Sequence, residues 1–319
     1  MALSDLAVFS EFVYTAQTEV LRQQIDLFNA ASRGALVLRS AAHVGDYSDK
    51  TLWAMTAGLV RRRNPYGSGA VAHKKLAMLV DTMVKVASGT PPVDIPPGQM
   101  EWIQREPEEQ GAILGQQLAQ QTLADMLNTA IMALVAALSG VAANNFDGTA
   151  ATANQTIFNK GQALFGDQAQ EIVAWIMHSK PLFDIYDAAL ANAAGLFTFG
   201  NVNIREDAFG RAFIISDSPA LFNATPTPDQ YNTLGLVTGA ARVDQNGDFT
   251  DNIDTTNGDE NILRTYQAEW SYELGIKGFA WDKQNGNHAP NDAAIAVATN
   301  WDRFATSNKD LAGVLIKTQ

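Results

Sequence analysis

One long stretch, running from Pro107 to Leu138, constrains the fold of this chain more than any other part of it. Proline is well tolerated in the first turn of a helix, and the carboxylates of Glu108 and Glu109 lie at the positive end of the helix dipole. Gly140 marks the end of the predicted helix. At 1.5 Å per residue, such a helix is about 45 Å long. It predicts an α+β protein that is built around one spine helix.

Apolar residues recur along this stretch at spacings of three and four residues, which predicts one buried stripe on the helix. Glutamines such as Gln117 fill most of the opposite face over the first half. Beyond Ala130 the sequence is apolar nearly all round, so we expect that end of the helix to be enclosed on several sides. The residues predicted to form the core of the stripe are Leu118, Leu123, Leu127, Ile131 and Leu134.

The apolar run from Thr129 to Ala143 could also suggest a membrane span. It is shorter than the roughly 18 residues that a span requires, and Asp125 and Asn128 lie just upstream of it. The N-terminal sequence MALSDLAVFSEF lacks the basic region and apolar core of a signal peptide. We therefore predict no membrane insertion, and a protein that is made and used in a cytoplasm.

Composition excludes several classes of protein. The chain has 319 residues, more than one compact core usually contains, so we expect two or more subdomains. Cysteine is absent, which excludes disulfides, thiolate metal sites and a cysteine nucleophile. The formal net charge is -12. Because phosphate contacts need clustered Lys and Arg, this charge excludes a general nucleic-acid binder.

The part of the chain before the long helix divides into two segments. The first has irregular helical periodicity from Phe9 to Phe28 and a short strand at Gly34–Leu38, and its aromatic residues need a partner surface to become buried. The second holds strand-like runs at Thr51–Val60 and Leu79–Val86. It has too few apolar stretches to fold alone, which predicts a projecting two-stranded arm. A basic turn between the two runs begins with Arg61, Arg62 and Arg63.

The part of the chain after the long helix carries both helix and strand signals. Caps, apolar runs and turn residues define the elements there. We predict helices at Asn154–Phe165, Asp167–His178 and Pro181–Leu190, strands at Ala212–Asp217, Tyr272–Ile276 and Val314–Ile316, and a hairpin at Arg242–Phe249 around Asn246-Gly247.

Catalytic and cofactor motifs such as GxxxxGK[ST], GxGxxG, HExxH and GxSxG are absent from the sequence. A calcium loop is suggested by Asp244, Asn246 and Asp248. However, Phe249 stands where such a loop needs glycine, and Thr255 stands where it needs a bidentate Glu. We therefore predict solvated acids in a hairpin turn, and neither a metal ion nor a small-molecule cofactor for the protein.

His178 and Ser179 could suggest a base and a nucleophile. Adjacent residues on a helix diverge by about 100°, so the two side chains are predicted not to contact each other. His178 is instead expected at a helix C-terminus, where the charged imidazole is favoured.

The basic turn at Arg61, Arg62 and Arg63 has two interpretations. It is either a solvated turn or a contact with an acidic patch on another subunit. Nucleic-acid binding by three arginines is less favoured in a chain with a net charge of -12.

Several short segments of the sequence occur in a distinctive order. They are GDYSDKTLW at the start of the extended arm, MVKVASGTPPVD on its return, EIVAWIMHSKPLFDIYDAAL and GRAFIISDSP further on, and SYELGIKGFAWD near the C-terminal strands. Together with the order of the predicted elements, they resemble the major capsid proteins of tailed bacteriophages. The resemblance extends over nearly the whole chain.

This resemblance implies the HK97-like fold, an α+β fold with a spine helix. It implies no catalytic residues, and no Lys and Asn pair here can be matched to the isopeptide crosslink that some members form. The implied parts are an N-terminal arm (1–42), an extended loop (43–104), a peripheral domain with the spine helix (105–165), an axial domain (166–269) and a return to the peripheral domain (270–319).

The resemblance also implies a function. A major capsid protein of this kind assembles with itself into hexamers and pentamers of an icosahedral shell, in the cytoplasm of the bacterial host. The shell encloses the double-stranded DNA genome without sequence-specific binding, and its other partners are portal, cement and separate scaffolding proteins. The alternatives are an encapsulin-type compartment with the same fold and, less favoured, a soluble α/β enzyme.

Overall fold

The computed structural model describes residues 3–53, 59–76, 78–191, 204–206, 211–225, 227–257 and 260–319. The helices within these residues are α1 (Leu3–Ala31), α2 (Pro97–Arg105), α3 (Pro107–Ser139), α4 (Gln155–Ala163), α5 (Ser179–Ala191) and α6 (Asp292–Ile295). The strands are β1 (Leu36–Ser40), β2 (Tyr47–Trp53), β3 (Met78–Gly89), β4 (Val93–Ile95), β5 (Asn145–Asp147), β6 (Ile172–Met177), β7 (Ile204–Glu206), β8 (Ala212–Ile215), β9 (Phe222–Asn223), β10 (Gln230–Val237), β11 (Ala241–Gln245), β12 (Thr250–Thr256), β13 (Leu263–Ile276), β14 (Phe279–Trp281), β15 (Trp301–Arg303) and β16 (Gly313–Thr318).

The described strands form two sheets. The first sheet has the order β1-β11-β13-β14-β15, with β12, β3 and β4 also paired to β13, and β2 paired to β3. The second sheet has the order β5-β16-β10-β6-β8-β7, with β9 paired to β10. Strand β13 is 14 residues long and pairs along its length with the strands on both sides of it. It is therefore the central strand of the first sheet.

The spine helix α3 spans 33 residues and begins at Pro107, as predicted. It continues one residue beyond the predicted end, and Gly140 is its C-cap residue. The second half of the helix is enclosed, because Leu134 shares one apolar core with Leu274 of the first sheet and Leu234 of the second. Burial of a leucine side chain contributes about 1.5–3 kcal/mol. The helix therefore holds the two sheets together.

The first half of α3 packs against α1 through glycines. A Cβ atom at Gly111 would lie 2.7 Å from the carbonyl oxygen of Phe9, and one at Gly115 would lie 2.6 Å from that of Val13. Phe9 and Val13 are buried in this contact. Phe9 thus has a partner surface of the kind that the sequence analysis expected, and this surface belongs to the same chain, with Leu118 of α3 and Tyr266 of β13 in it.

Several predicted elements are confirmed. The helix predicted from Asn154 is α4, and the Asn154 side chain accepts a hydrogen bond from the N–H of Ile157 at 3.0 Å as its N-cap. The helix predicted from Pro181 is α5. The strands predicted at Gly34–Leu38, Leu79–Val86, Ala212–Asp217, Tyr272–Ile276 and Val314–Ile316 overlap β1, β3, β8, β13 and β16.

The helix predicted at Asp167–His178 is wrong. A 3₁₀ turn occupies Gly166–Glu171, and the strand β6 follows it. Strand β6 lies inside the second sheet, between β10 and β8, where five of its six residues are buried. A short run that is apolar throughout does not distinguish a buried strand from a buried helix by its period.

The hairpin predicted around Asn246-Gly247 is also wrong. Strands β11 and β12 do not pair with each other but follow one another along β13. Ser271 of β13 holds the residues between the two strands against β13. Asp248 accepts hydrogen bonds from the backbone N–H and the hydroxyl of Ser271, and Asn246 donates to the same hydroxyl oxygen at 2.9 Å.

Candidate assembly surface

A two-stranded ribbon, formed by β2 and β3, extends from the first sheet. The strands pair in antiparallel fashion from Tyr47 opposite Val84 to Trp53 opposite Met78. The second half of β3 also pairs with β13, which anchors that end of the ribbon in the sheet. Val84 is fully buried, whereas Met78 at the other end is 61% exposed and Trp53 is 68% exposed. The ribbon therefore leaves the core of its own subunit.

A loop beyond the ribbon, described over residues 59–76, contains neither helix nor strand. Its apolar side chains are among the most exposed in the structure, with Val60 at 94% and Tyr66 at 97%. The predicted turn is present, because the side chain of Asn64 accepts a hydrogen bond from the N–H of Tyr66 at 3.0 Å. Grouped exposed apolar residues of this kind mark interaction surfaces.

The three arginines of the basic turn, Arg61, Arg62 and Arg63, lie in this loop and are all exposed. Five residues of the strand predicted at Thr51–Val60, residues 54–58, lie outside the described residues. Within the part of the chain that the structure describes, the guanidinium group of Arg61 donates a hydrogen bond to the carbonyl oxygen of Arg62, at 3.5 Å. The loop thus presents three positive charges away from the body of the subunit.

Charged side chains gather at the base of the ribbon. Lys283 lies 2.6 Å from the carboxylate of Asp49 and 5.1 Å from the centre of the Tyr47 ring. The hydrogen bond from Lys283 lowers the pKa of Asp49. On the other side, His43 Nε2 lies 3.5 Å from Glu273 Oε1. Burial raises the pKa of Glu273, and burial also raises the pKa of Asp81 to about 6.

The residues predicted for the core of the spine helix differ in burial. Leu118, Ile131 and Leu134 are buried. Leu123 and Leu127 are half-buried against the core that contains Ile131 and Leu134, whereas Leu118 belongs to a separate cluster with Phe9 and Tyr266. Gly111 and Gly115, which the sequence interpretation left out, occupy the contact with α1 instead.

The spine helix is also long and apolar enough to cross a membrane by length and composition, with a mean hydropathy of 1.5 over its most apolar window. The prediction that its apolar run is too short for a span is therefore not decisive. Within the structure, however, 56% of that window is buried. A helix whose apolar surface is covered by its own chain is a core helix of a folded protein.

Of the acids that the sequence predicted to be solvated, Asp244 in β11 is buried, whereas Asp248 after β11 is exposed as predicted. Asp244 is 1% exposed and forms an ion pair with Arg242, and Asp248 lies 3.4 Å from the ammonium group of Lys85. Over the described ranges, no group of three or more His, Asp and Glu side chains is arranged to hold a metal ion. Both carboxylates instead stabilise the path of the chain along β13.

His178 lies at the start of a helix and not at a helix C-terminus, so that prediction is wrong. It precedes α5, and its Nδ1 atom accepts a hydrogen bond from the N–H of Lys180 at 3.2 Å. The Ser179 hydroxyl lies 3.4 Å from the same nitrogen, a contact that the helix argument had excluded. Asp217 accepts from the N–H of Ser179 at 3.1 Å. These contacts satisfy N–H groups of the first turn of α5, which is a capping role.

A groove of about 470 Å³ lies at the C-terminal end of α3. Its lining is mainly apolar and includes Ala137, Val141, Phe279 and Trp301, together with Arg303. An enzyme site usually brings several polar groups together in such a pocket. This groove does not have that lining.

Comparison with known proteins decides between the interpretations. A family model described as Gp13-like, major capsid protein 13-like, matches residues 5–315. The chain belongs to this family of major capsid proteins. None of the curated proteins matches the chain. The family favours a phage capsid subunit over both an encapsulin-type shell protein and a soluble enzyme.

Solved structures support the same assignment of the fold. The capsid asymmetric unit of cyanophage Pam1 is similar with a TM-score of 0.54 and 10% identity, covering 86% of this chain and 85% of that one. The capsid of Ralstonia phage GP4 is similar with a TM-score of 0.50 and 13% identity, covering 90% and 87%. The Gp13-like chain has the predicted α+β, HK97-like fold. It is a major capsid protein and a component of the virion capsid.

Proposed function

We propose that the ribbon of each capsid subunit lies over a neighbouring subunit, and that subunits linked in this way form the hexamers and pentamers of an icosahedral shell. One observation carries the proposal: the ribbon and its loop leave the core of their own subunit with apolar and basic side chains exposed. Trp53, Met78 and Tyr66 are each more than half exposed in the isolated chain. A second copy of the chain, in which these groups become covered, accounts for that exposure.

The basic turn supplies the polar part of this contact. Arg61, Arg62 and Arg63 each carry a guanidinium group that can bind a carboxylate through two parallel hydrogen bonds. The net charge of -12 means that a neighbouring copy offers many carboxylates. A single exposed pair contributes about 0–1 kcal/mol, but the same contact is repeated throughout a shell. The sum is large enough to decide whether the shell closes.

The finer organisation of the particle is part of the same proposal. We assign residues 1–42 to the N-terminal arm, 43–104 to the extended loop, 105–165 to the peripheral domain, 166–269 to the axial domain and 270–319 to the return. The subunit catalyses no reaction and binds no cofactor. It assembles in the cytoplasm of the bacterial host with portal, cement and separate scaffolding proteins. Its acidic surface encloses DNA without sequence-specific binding.

Replacement of all three arginines by serine tests the proposal. We expect the triple variant R61S/R62S/R63S to fold like the parent and to form far fewer particles, because the arginines contact another subunit and not their own. Parental assembly should also weaken at high salt, since exposed ion pairs are screened. Particle yield is measured by sedimentation, and the fold of the subunit by circular dichroism.

A matched control removes three exposed cations elsewhere, in R105S/K160S/K277S, and changes the net charge equally. This control should assemble like the parent. Normal particle yield from the loop variant, or an equal loss from the control, would show that the turn at Arg61, Arg62 and Arg63 is only a solvated turn.

A further inference from the structure

The groove at the C-terminal end of α3 is an apolar surface that opens on the outside of the subunit, where Ala143 of its lining is exposed. The buried rings of Phe279 and Trp301 also line it, and Val297, which adjoins the lining residue Ala298, is 42% exposed. Its volume of about 470 Å³ falls within the range of pockets that enclose a ligand. The groove is thus large enough to receive big apolar side chains from another molecule.

Two charged features of the groove select what can bind there. Ala137 and Gly140 of the lining belong to the C-terminal end of α3, which is the negative end of the helix dipole. The last turn of α3 contains no basic residue, so a cation from outside is favoured beside it. Arg303 also lines the groove, and its guanidinium group donates to the carbonyl oxygens of Ala305 and Thr306 at 2.8 and 3.2 Å. A guanidinium plane that is held in this way favours an aromatic ring against it.

One face of the ribbon carries side chains that suit such a groove. Alternate residues of a strand point to the same face of a sheet. Trp53 is paired with Met78, and Thr51 is paired with Val80, so these four side chains share one face. Three of them are large and apolar, and Val80 is 45% exposed while the other two are more exposed still. Tryptophan is enriched among the residues that contribute most to binding at protein interfaces.

The chain that joins the two strands of the ribbon adds positive charge to this apolar face. Residues 51–80 contain five Lys and Arg residues and neither Asp nor Glu. Because the whole chain carries -12, the rest of it is more acidic still. The end of the ribbon and the groove are therefore complementary. The Trp53 ring suits the fixed guanidinium group of Arg303, and the basic loop suits the C-terminal end of α3.

The ribbon does not fill the groove of its own chain. Val84 is paired with β13, and Met78 lies six residues away from it along an extended strand, which corresponds to about 20 Å. Trp53, at the same end of the ribbon, is 68% exposed. A groove and a ribbon that are both open in one chain can be covered together only when a second copy is present.

We propose that Trp53 and Met78 of one subunit dock in the groove of a second copy, with the basic loop beside the C-terminal end of its α3. The inference rests on the proposed function, in which the ribbon lies over a neighbouring subunit, and it names the surface that the ribbon binds. The ribbon and the groove are different surfaces of the same chain, so each docked pair leaves one groove and one ribbon free. Head-to-tail contacts of this kind close into rings.

Disulfide trapping in assembled particles tests where the ribbon binds. Because the chain contains no cysteine, only introduced pairs can react. Thr51→Cys keeps Trp53 and Met78 and lies on the same face of the ribbon, and it is combined with Ala143→Cys in the lining of the groove. After oxidation, we expect a non-reducing gel to show linked chains of up to five or six copies. The matched control combines Thr51→Cys with Gln116→Cys, at an exposed position about 35 Å back along α3, and should remain monomeric.

The outcomes separate this inference from the proposed function. Linkage through Gln116→Cys and not through Ala143→Cys would overturn the groove as the binding surface, but it would leave the ribbon on a neighbouring subunit. Particles that show neither linkage would also overturn the inference. The proposed function itself fails only if the triple arginine variant assembles normally as well.

The concentration at which particles first appear, measured by light scattering, tests the energy of the contact. Trp53→Ala should raise this threshold about tenfold or more, because it removes the central aromatic side chain. Ala143→Trp fills the groove from an exposed position and should raise the threshold similarly, whereas Gln116→Trp adds the same ring elsewhere and should leave it unchanged. The double variant of Trp53→Ala and Ala143→Trp should be no worse than either single variant, since both remove one contact. Additive losses, or an unchanged threshold in both single variants, would overturn the inference.

Discussion

Leu134 on the spine helix is fully buried, whereas Leu52 on the ribbon is 45% exposed. The two side chains are chemically identical, but they stand in regions with different partners. The second half of α3 is covered by both sheets of its own chain, and its first half lies against α1. The ribbon is anchored at one end and presents exposed apolar and basic residues at the other. Contacts around the helix therefore stabilise the subunit, while the exposed side chains of the ribbon are left for the contact with another subunit that we propose.

The largest difference in stability between the two regions is expected when one leucine in each of them is replaced by alanine. Leu134→Ala should lower the free energy of unfolding by about 2–5 kcal/mol, because it leaves a cavity in a fully covered core. Leu52→Ala should cost the isolated subunit less than about 1 kcal/mol. Urea unfolding of the unassembled chain measures both. Equal losses would mean that the ribbon belongs to the subunit core.

A smaller effect is expected where the spine helix contacts α1. Gly115→Ala places a methyl group against the backbone of α1, and it should cost about 1–3 kcal/mol through overpacking. Gly98→Ala is the matched control, because nothing lies within 4 Å of its added Cβ atom. Thermal unfolding compares the two. An unchanged midpoint for Gly115→Ala would show that the two helices separate easily, and the contrast with the ribbon would weaken.

The smallest effect is expected at the base of the ribbon. Lys283→Ala removes the ion pair with Asp49, whose two side chains are 42% and 45% exposed. Solvent screens such a pair, so the change should cost about 0–1 kcal/mol of subunit stability. Lys277→Ala, at another exposed lysine, is the control. If the free energy of unfolding, measured with urea, falls by more than about 2 kcal/mol, the base of the ribbon contributes to subunit stability as strongly as the spine helix does.

The sequence was most informative where one signal extends over many residues. The spine helix was predicted to within one residue because its period, its proline and its glycine all agree. The strand β6 was taken for a helix because its run is short and apolar throughout. Gly111 and Gly115 were overlooked, although glycines four residues apart on a helix allow two backbones to approach closely. That spacing could have indicated the contact with α1.

The candidate site was predictable only in part. Two strand-like runs with too few apolar residues to fold alone indicated a projecting ribbon, and the arginine run indicated its basic turn. The burial of Glu273 and of the Asp81 Oδ1 atom was not predicted, because the sequence around each residue does not show which strands will cover it. Their surroundings are created by strands that are distant along the chain. His43 and Glu273, for example, are 3.5 Å apart in space but belong to opposite ends of the sequence.

The position of β16 determines when the second sheet of a newly made subunit can be completed. This strand lies between β5 and β10 in the second sheet, although it is the last of the three to be synthesised. Until the ribosome has delivered residues 313–318, the sheet contains an open slot and exposes the edges of both neighbouring strands. The second sheet is therefore completed only after β16 has been synthesised, because β5 and β10 have no direct pairing with each other and are joined through this strand.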